Sequence, residues 1–210
     1  MTFHPAVTND VANVPPPRYP KLEYAADTPC LTRTRIVYLD PGHGGEGGHG
    51  CRAYNGKWEK DANLALALEV KAHLEEEGVE VKMTRETDAE VPLYERARDA
   101  HKIKAACFVS IHYNAPAASK DPLTVRYRSV YSWNDLGKKL ADSIAEAYAP
   151  CESLHANFAV TRSPEIPSCL VEADFLTHPD GCRDAFDPTV RDQVASQIAA
   201  GILNFLLDNQ

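Results

Sequence analysis

"RIVYLDPGHGGEGGHG", residues 35–50, joins a short apolar run to a loop holding two histidines among six glycines. The run reads as a strand: its apolar residues cover a strand's length and stop at turn-forming residues. The glycines then either cradle a phosphate or let the chain present a histidine at the strand's end. Fold and chemistry both turn on that choice.

Beyond this strand the pattern alternates. "EKDANLALALEVKAHLEEEG" reads as a helix, with Leu66, Val70 and Leu74 on one face, Asp61 in the first turn and Gly78 as the stop. "VEVKMT" reads as a strand, "PLYERARDAHKIK" as a helix, "ACFVSIH" as a buried strand and "TVRYRSVY" as an edge strand. "DLGKKLADSIAEAYA" reads as a helix ended by Pro150, and "NFAV" and "SCLVEAD" as two more strands. A last helix has Asp187 as N-cap and Pro188 in its first turn, with Val190, Val194, Ile198 and Ile202 down one face. Such alternation predicts one α/β domain, a largely parallel sheet with helices on both faces. No internal repeat or second-domain linker interrupts it.

Residues 1–34 differ. They carry Pro5, Pro15, Pro16, Pro17, Pro20 and Pro29 and no periodicity, so they read as a Pro-rich N-terminal arm, laid on the domain or partly disordered. The first thirty residues show no basic segment followed by an apolar run, and so no signal peptide. No stretch approaches the ~18 apolar residues of a membrane span. With a formal net charge of -8 and a pI near 5.5, the 210-residue chain lacks the basic balance of a general nucleic-acid binder. Its six cysteines form no CxxC pair, which argues against a thiolate zinc knuckle; Cys107 and Cys169 fall in apolar runs and read as buried thiols.

Gly42, Gly44 and Gly47 satisfy G-x-G-x-x-G after a strand, but a dinucleotide fingerprint must open a helix at its last glycine. Here "GHGCRAYNGKW" follows, without apolar period, and Asp61 lies inside the next helix rather than at a second strand's end. The metal reading fits the placement better. His43 follows the first strand, His112 ends "ACFVSIH" and Glu172 ends "SCLVEAD". In an open parallel sheet these carboxyl ends share one edge, where ligand crevices form. Glu59 opens the helix after the loop. Two imidazoles and one carboxylate from this group make a His₂Glu set, a catalytic zinc arrangement that leaves a position for water. Mn²⁺ or Co²⁺ would suit it too. Each residue has an ordinary alternative: a strand-end histidine is more often a hydrogen-bonded surface residue, and Glu59 could simply favour a helix N-terminus. A carboxylate at Glu172, in an apolar strand, needs a partner.

"IVYLDPGHGG", "WEKDANLALAL", "MTRETD", "FVSIHYNA" and "LVEADFLTHP", in this order, resemble the motifs of the zinc-dependent N-acetylmuramoyl-L-alanine amidases of the amidase-3 type, from about Arg35 to the C-terminus. The resemblance implies a mostly parallel six-stranded sheet over a catalytic domain at 35–210. It implies one Zn²⁺ per chain on His43, Glu59 and His112, and Glu172 as the catalytic carboxylate. The substrate implied is peptidoglycan, cut between N-acetylmuramic acid and L-alanine. The alternatives are a zinc peptidase cutting within the stem peptide and a non-catalytic peptidoglycan-binding domain. Ala173, Asp174 and His178 depart from the family's final motif, and for His49 and His155 a packing or surface role is expected. The expected setting is the cell wall or periplasm, reached by a phage-type lysin released from the cytoplasm or by a mature exported form. A monomer is expected, with no nucleic acid, no stable membrane insertion and no activator protein. The last expectation rests on residues 113–134, too short between His112 and the next helix for a plug helix like that of some relatives.

Overall fold

The computed structural model describes residues 36–163 and 165–209; the proposed arm, residues 1–34, lies outside them. In chain order the elements are β1 (Ile36–Pro41), α1 (Glu59–Glu76), β2 (Glu80–Met83), α2 (Leu93–Arg96), α3 (Arg98–Lys102), β3 (Cys107–Asn114) and β4 (Ser129–Ser132). There follow α4 (Asp135–Ala147), β5 (Glu152–His155), a 3₁₀ turn at Ala159–Thr161, β6 (Ser168–Phe175), α5 (Pro179–Phe186) and α6 (Pro188–Asp208).

The six strands form one sheet in the order β2-β1-β3-β6-β4-β5. β2, β1, β3 and β6 run parallel, β4 lies antiparallel to β6, and β5 is parallel to β4. From β1 the chain crosses through α1 to β2 on one side, then returns through α2 and α3 to β3 on the other. The β1/β3 junction is therefore a topological switch point, and a crevice opens beyond its carboxyl ends. The two crossovers also put α1 and α2–α3 on opposite faces.

The faces are packed unequally. On one, α1, α4 and α6 cover the main core, where Leu66, Val70, Leu140, Ile144, Ile198 and Ile202 meet Val37, Leu39, Val109, Ile111 and Val171. On the other, a smaller core joins Tyr38, Phe108 and Leu170 to Ala100 of α3 and Val160 of the 3₁₀ turn.

Three local expectations are corrected. "TVRYRSVY" pairs only from Ser129 onward, and β4 is an interior strand between β6 and β5. Upstream, Arg126 leaves the ladder to bond Asp174 and Asp184. The edge strand on that side is "ESLH", half-exposed and without apolar alternation; "NFAV" instead leads into the 3₁₀ turn. The helix expected over "PLYERARDAHKIK" is two short pieces broken at Ala97, and α5 went unread because it is short and largely polar.

At the last helix the expectation holds: the Asp187 carboxylate accepts from the amides of Thr189 and Val190 at 2.8 and 3.2 Å. Ile198 has no exposure. Ile198→Ala should therefore lower the unfolding free energy by ~2–5 kcal/mol, and Asp187→Ala by only ~1 kcal/mol. Urea-denaturation midpoints of the two variants measure this ranking.

Candidate metal centre

The loop after β1 is held from behind. Asp40, fully buried, accepts from Arg96 Nη1 at 2.8 Å, Thr84 Oγ1 at 2.7 Å and Ser110 Oγ at 2.7 Å. Arg85 and Arg96 then donate to three successive carbonyls: Pro41 (2.9 and 3.1 Å), Gly42 (2.9 Å, from Arg85) and His43 (2.8 Å, from Arg96). Asn63 adds a bond to the Gly42 carbonyl at 3.1 Å. So fixed, His43 takes a left-handed backbone conformation (φ 63°), uncommon for a residue with a side chain, and Gly44 and Gly45 continue at positive φ. Such strained positions persist where the surroundings over-determine them.

Glu59 arrives from α1, whose first amides are satisfied by the loop: Glu59 N–H donates to the Cys51 carbonyl and Lys60 N–H to that of His49, at 3.0 and 3.2 Å. The Glu59 side chain is thus free to turn inward, where Oε2 accepts from Cys51 N–H at 2.9 Å and Oε1 from Asn63 at 3.2 Å. His112, on β3, places Nδ1 3.0 Å from Glu59 Oε1, and His43 Nε2 lies 3.3 Å from the same oxygen. One ligand-type atom from each of the three residues falls within 4.8 Å of the others. Tetrahedral bonds of ~2.0–2.2 Å to one ion would hold neighbouring ligands ~3.4 Å apart, so the group needs little movement to close on a metal.

Two glycines leave the space. A Cβ on Gly42 would sit 2.1 Å from the His112 ring, and one on Gly50, at φ +70°, would meet Glu59 Oε2 at 2.5 Å and His43 Cδ2 at 2.7 Å. Glu172, on β6, is the register partner of His112. Its Oε2 is buried and has no hydrogen-bond partner. Two imidazoles, a carboxylate and an unsatisfied buried oxygen beside them fit a divalent cation that holds a water.

The two carboxylates are driven apart. Burial by itself would raise Glu59, but the bonds and charges of His112 and His43 prevail and hold it well below the usual carboxylate range. Burial pushes Glu172 up to about 8, and the nearby Glu59 charge adds to the rise. Neither His49 nor His155 joins the group: His49 stacks on Trp58 and His155 on Trp133, at 4.8 and 5.0 Å between ring centroids. Asp40, Asn63, Arg85 and Arg96 were not singled out from sequence, although each lies within or one turn from a motif quoted above. Cys107 and Cys169 are buried free thiols as expected.

The chain matches the Amidase_3 family model, N-acetylmuramoyl-L-alanine amidase, over residues 37–204. The chain belongs to this amidase family. It is 32% identical to the N-acetylmuramoyl-L-alanine amidase AmiA of Salmonella typhimurium, over 84% of this chain and 78% of that protein. Among solved structures it resembles the amidase AmiC2 of Nostoc punctiforme, with a TM-score of 0.76 and 33% identity, covering 82% of this chain and 97% of that one. It also resembles the CwlD amidase of Clostridioides difficile, solved in complex with the GerS lipoprotein, at TM-score 0.68 and 26% identity over 82% and 98% of the two chains.

The raised Glu172 has a thermodynamic consequence for this amidase when metal-free. Its folded pKa of about 8 exceeds the ordinary 4.5, so the folded protein holds the proton more tightly than the unfolded chain. The associated stability is complete below pH 4.5 and is lost as pH rises through about 8. Thermal melts of metal-stripped protein should show Glu172→Gln gaining on the wild type across that window. A bound cation beside the carboxylate should shrink the gain.

Proposed function

We propose that this amidase hydrolyses the bond between N-acetylmuramic acid and the L-alanine of the peptidoglycan stem peptide, with one zinc ion held by His43, Glu59 and His112. The observation that carries this reading is the His₂Glu group within 4.8 Å, set beside the unpartnered buried oxygen of Glu172. Zinc there would supply a Lewis acid that polarises the scissile carbonyl and lowers the pKa of water towards ~7.

The chain's own residues supply positioning and proton transfer. Glu59 is oriented by Cys51 N–H and Asn63, so its carboxylate keeps one face to the histidines. Glu172 Oε2 takes a proton from the attacking water and delivers it to the departing alanine nitrogen, which is a poor leaving group unless protonated. A carboxyl with raised proton affinity suits the delivery half of that cycle. The hydroxide equivalent ends on the muramyl carboxyl, and both new protons come from the water, one of them carried to the nitrogen by Glu172, which returns to its starting state. The place of action follows from the substrate: the cell wall. No helix among the described residues is long and apolar enough to cross a membrane.

His112→Ala should lower both zinc content, read by elemental analysis, and release of muropeptides. Glu172→Gln should keep the zinc and lose ~10²–10⁴-fold in turnover, since an amide cannot accept the proton. Mass spectrometry of digested peptidoglycan should find the freed amino group on L-alanine next to intact muramic acid; cleavage elsewhere in the stem would assign a peptidase.

We also propose that the isolated chain is active. Residues 115–128, between β3 and β4, carry turns and no helix. Full-length protein and a version lacking residues 1–34 should release muropeptides at similar rates. An increase on truncation would make the arm an inhibitor.

A further inference from the structure

Beyond the metal group, a cavity of about 470 Å³ lies between the end of α4, the start of β5 and the segment leading into β4. Arg128 lines it with only 8% of its surface exposed. Its guanidinium lies over the Tyr148 ring, 4.5 Å from the centroid, and no carboxylate or carbonyl of the described residues accepts from it. Arg126, on the same wall, is by contrast neutralised by Asp174 and Asp184 at 2.8 and 2.6 Å. A guanidinium has five donors, and stacking on a ring occupies its flat face while leaving the N–H edge free. With no acceptor among the described residues, that edge is available to a ligand in the cavity, and its natural complement is a carboxylate.

The mouth carries the opposite charge. Glu146 and Glu152 line the cavity, are exposed, and have no ion pair among the described residues; Asp142 beside them is engaged by Lys138 at 2.6 Å. A simple anion would be repelled at this rim, and a simple cation would be repelled by Arg128. A ligand bearing both charges satisfies both parts. We propose that this cavity binds an amino-acid end, its carboxylate on the Arg128 edge and its ammonium group at Glu146 and Glu152.

The site adjoins the metal group across the sheet. Ser129, next to Arg128, is the register partner of both Glu172 and Glu152. At ~4.7–4.9 Å per strand, Glu152 is therefore ~10 Å from Glu172 along that edge. Val130 packs in the main core, so Arg128, two residues away, shares that face while Ser129 shares the other. An amino-acid end could come from a stem peptide rounding the sheet edge, which rests on the amidase reading, or from a free amino acid, which does not.

Titration calorimetry on metal-stripped full-length protein separates these possibilities without any hydrolysis. The probes are 2,6-diaminopimelate, pimelate, which lacks the ammonium groups, and 1,5-diaminopentane, which lacks the carboxylates. Diaminopimelate should bind at least about tenfold tighter than either, the scale of a charge-assisted contact. Arg128→Gln should weaken it about tenfold, with Arg128→Lys restoring part, and urea midpoints would report whether each variant is folded. If Arg128→Gln does not fold, Glu146→Gln/Glu152→Gln decides, and should weaken diaminopimelate while tightening pimelate, which no longer meets the acidic rim. No binding by the wild type, pimelate binding as tightly, or affinities unmoved by the folded variants would overturn the proposal. A second arm assigns the source on zinc-loaded enzyme. A KM that rises when the stem carboxylate is amidated, in wild type but not in Arg128→Gln, identifies the substrate's own peptide. An unchanged KM with the calorimetric result intact identifies a free amino acid.

Discussion

Two buried arginines hold the loop that carries His43, and the proposed metal site depends on them. Arg96 is paired with the fully buried Asp40, and together with Arg85 it takes up the carbonyls of Pro41, Gly42 and His43. A glycine-rich loop has much conformational entropy to lose, and a left-handed histidine adds strain. Side-chain donors on three consecutive carbonyls over-determine the backbone against both. Burying these charges is itself costly, and the arrangement stands because almost every donor meets an acceptor. Removing one partner of such a pair typically costs ~3–5 kcal/mol, since the other is left charged and dry.

The same economy separates the two glutamates. Both are carboxylates at one sheet edge, and burial pushes both towards the protonated form. Glu59 escapes because two imidazoles and three further donors (the Cys51 and Tyr113 amides and the Asn63 side chain) converge on it, whereas Glu172 has an oxygen with no donor and a like charge nearby. Ligand and proton carrier need opposite proton affinities, and the environments supply them without any difference in residue type. Sheet topology makes this possible by placing β1, β3 and β6 side by side, so that residues 43, 112 and 172 meet at their ends.

Much of this was legible beforehand where a single segment carries the signal. Strands β1, β2, β3 and β6, helices α1, α4 and α6, the Asp187 cap and the switch from strand to glycine loop depend on residues close in the chain, and these elements form as read. The readings that failed depend on neighbours. "TVRYRSVY" alternates over its whole length, yet only its last part finds partners, because Arg126 is drawn to Asp174 and Asp184. "ESLH" has poor strand-forming composition and becomes a strand because β4 offers it a ladder.

The division is plain at the site. By itself the sequence determined the residue types and their order: a histidine freed by glycines after one strand, a glutamate opening a helix, a histidine and a glutamate ending two more strands. Those choices follow from local backbone chemistry and from the rule that parallel strands share a carboxyl edge. Only the tertiary structure decided that three of these side chains close to within 4.8 Å, and that Asp40, Arg85, Arg96 and Asn63 hold them there. It alone leaves Arg128 largely buried over the Tyr148 ring, with no acceptor among the described residues. Proximity, burial and the resulting proton affinities are set by what packs around a group from distant parts of the chain, and no local pattern records that.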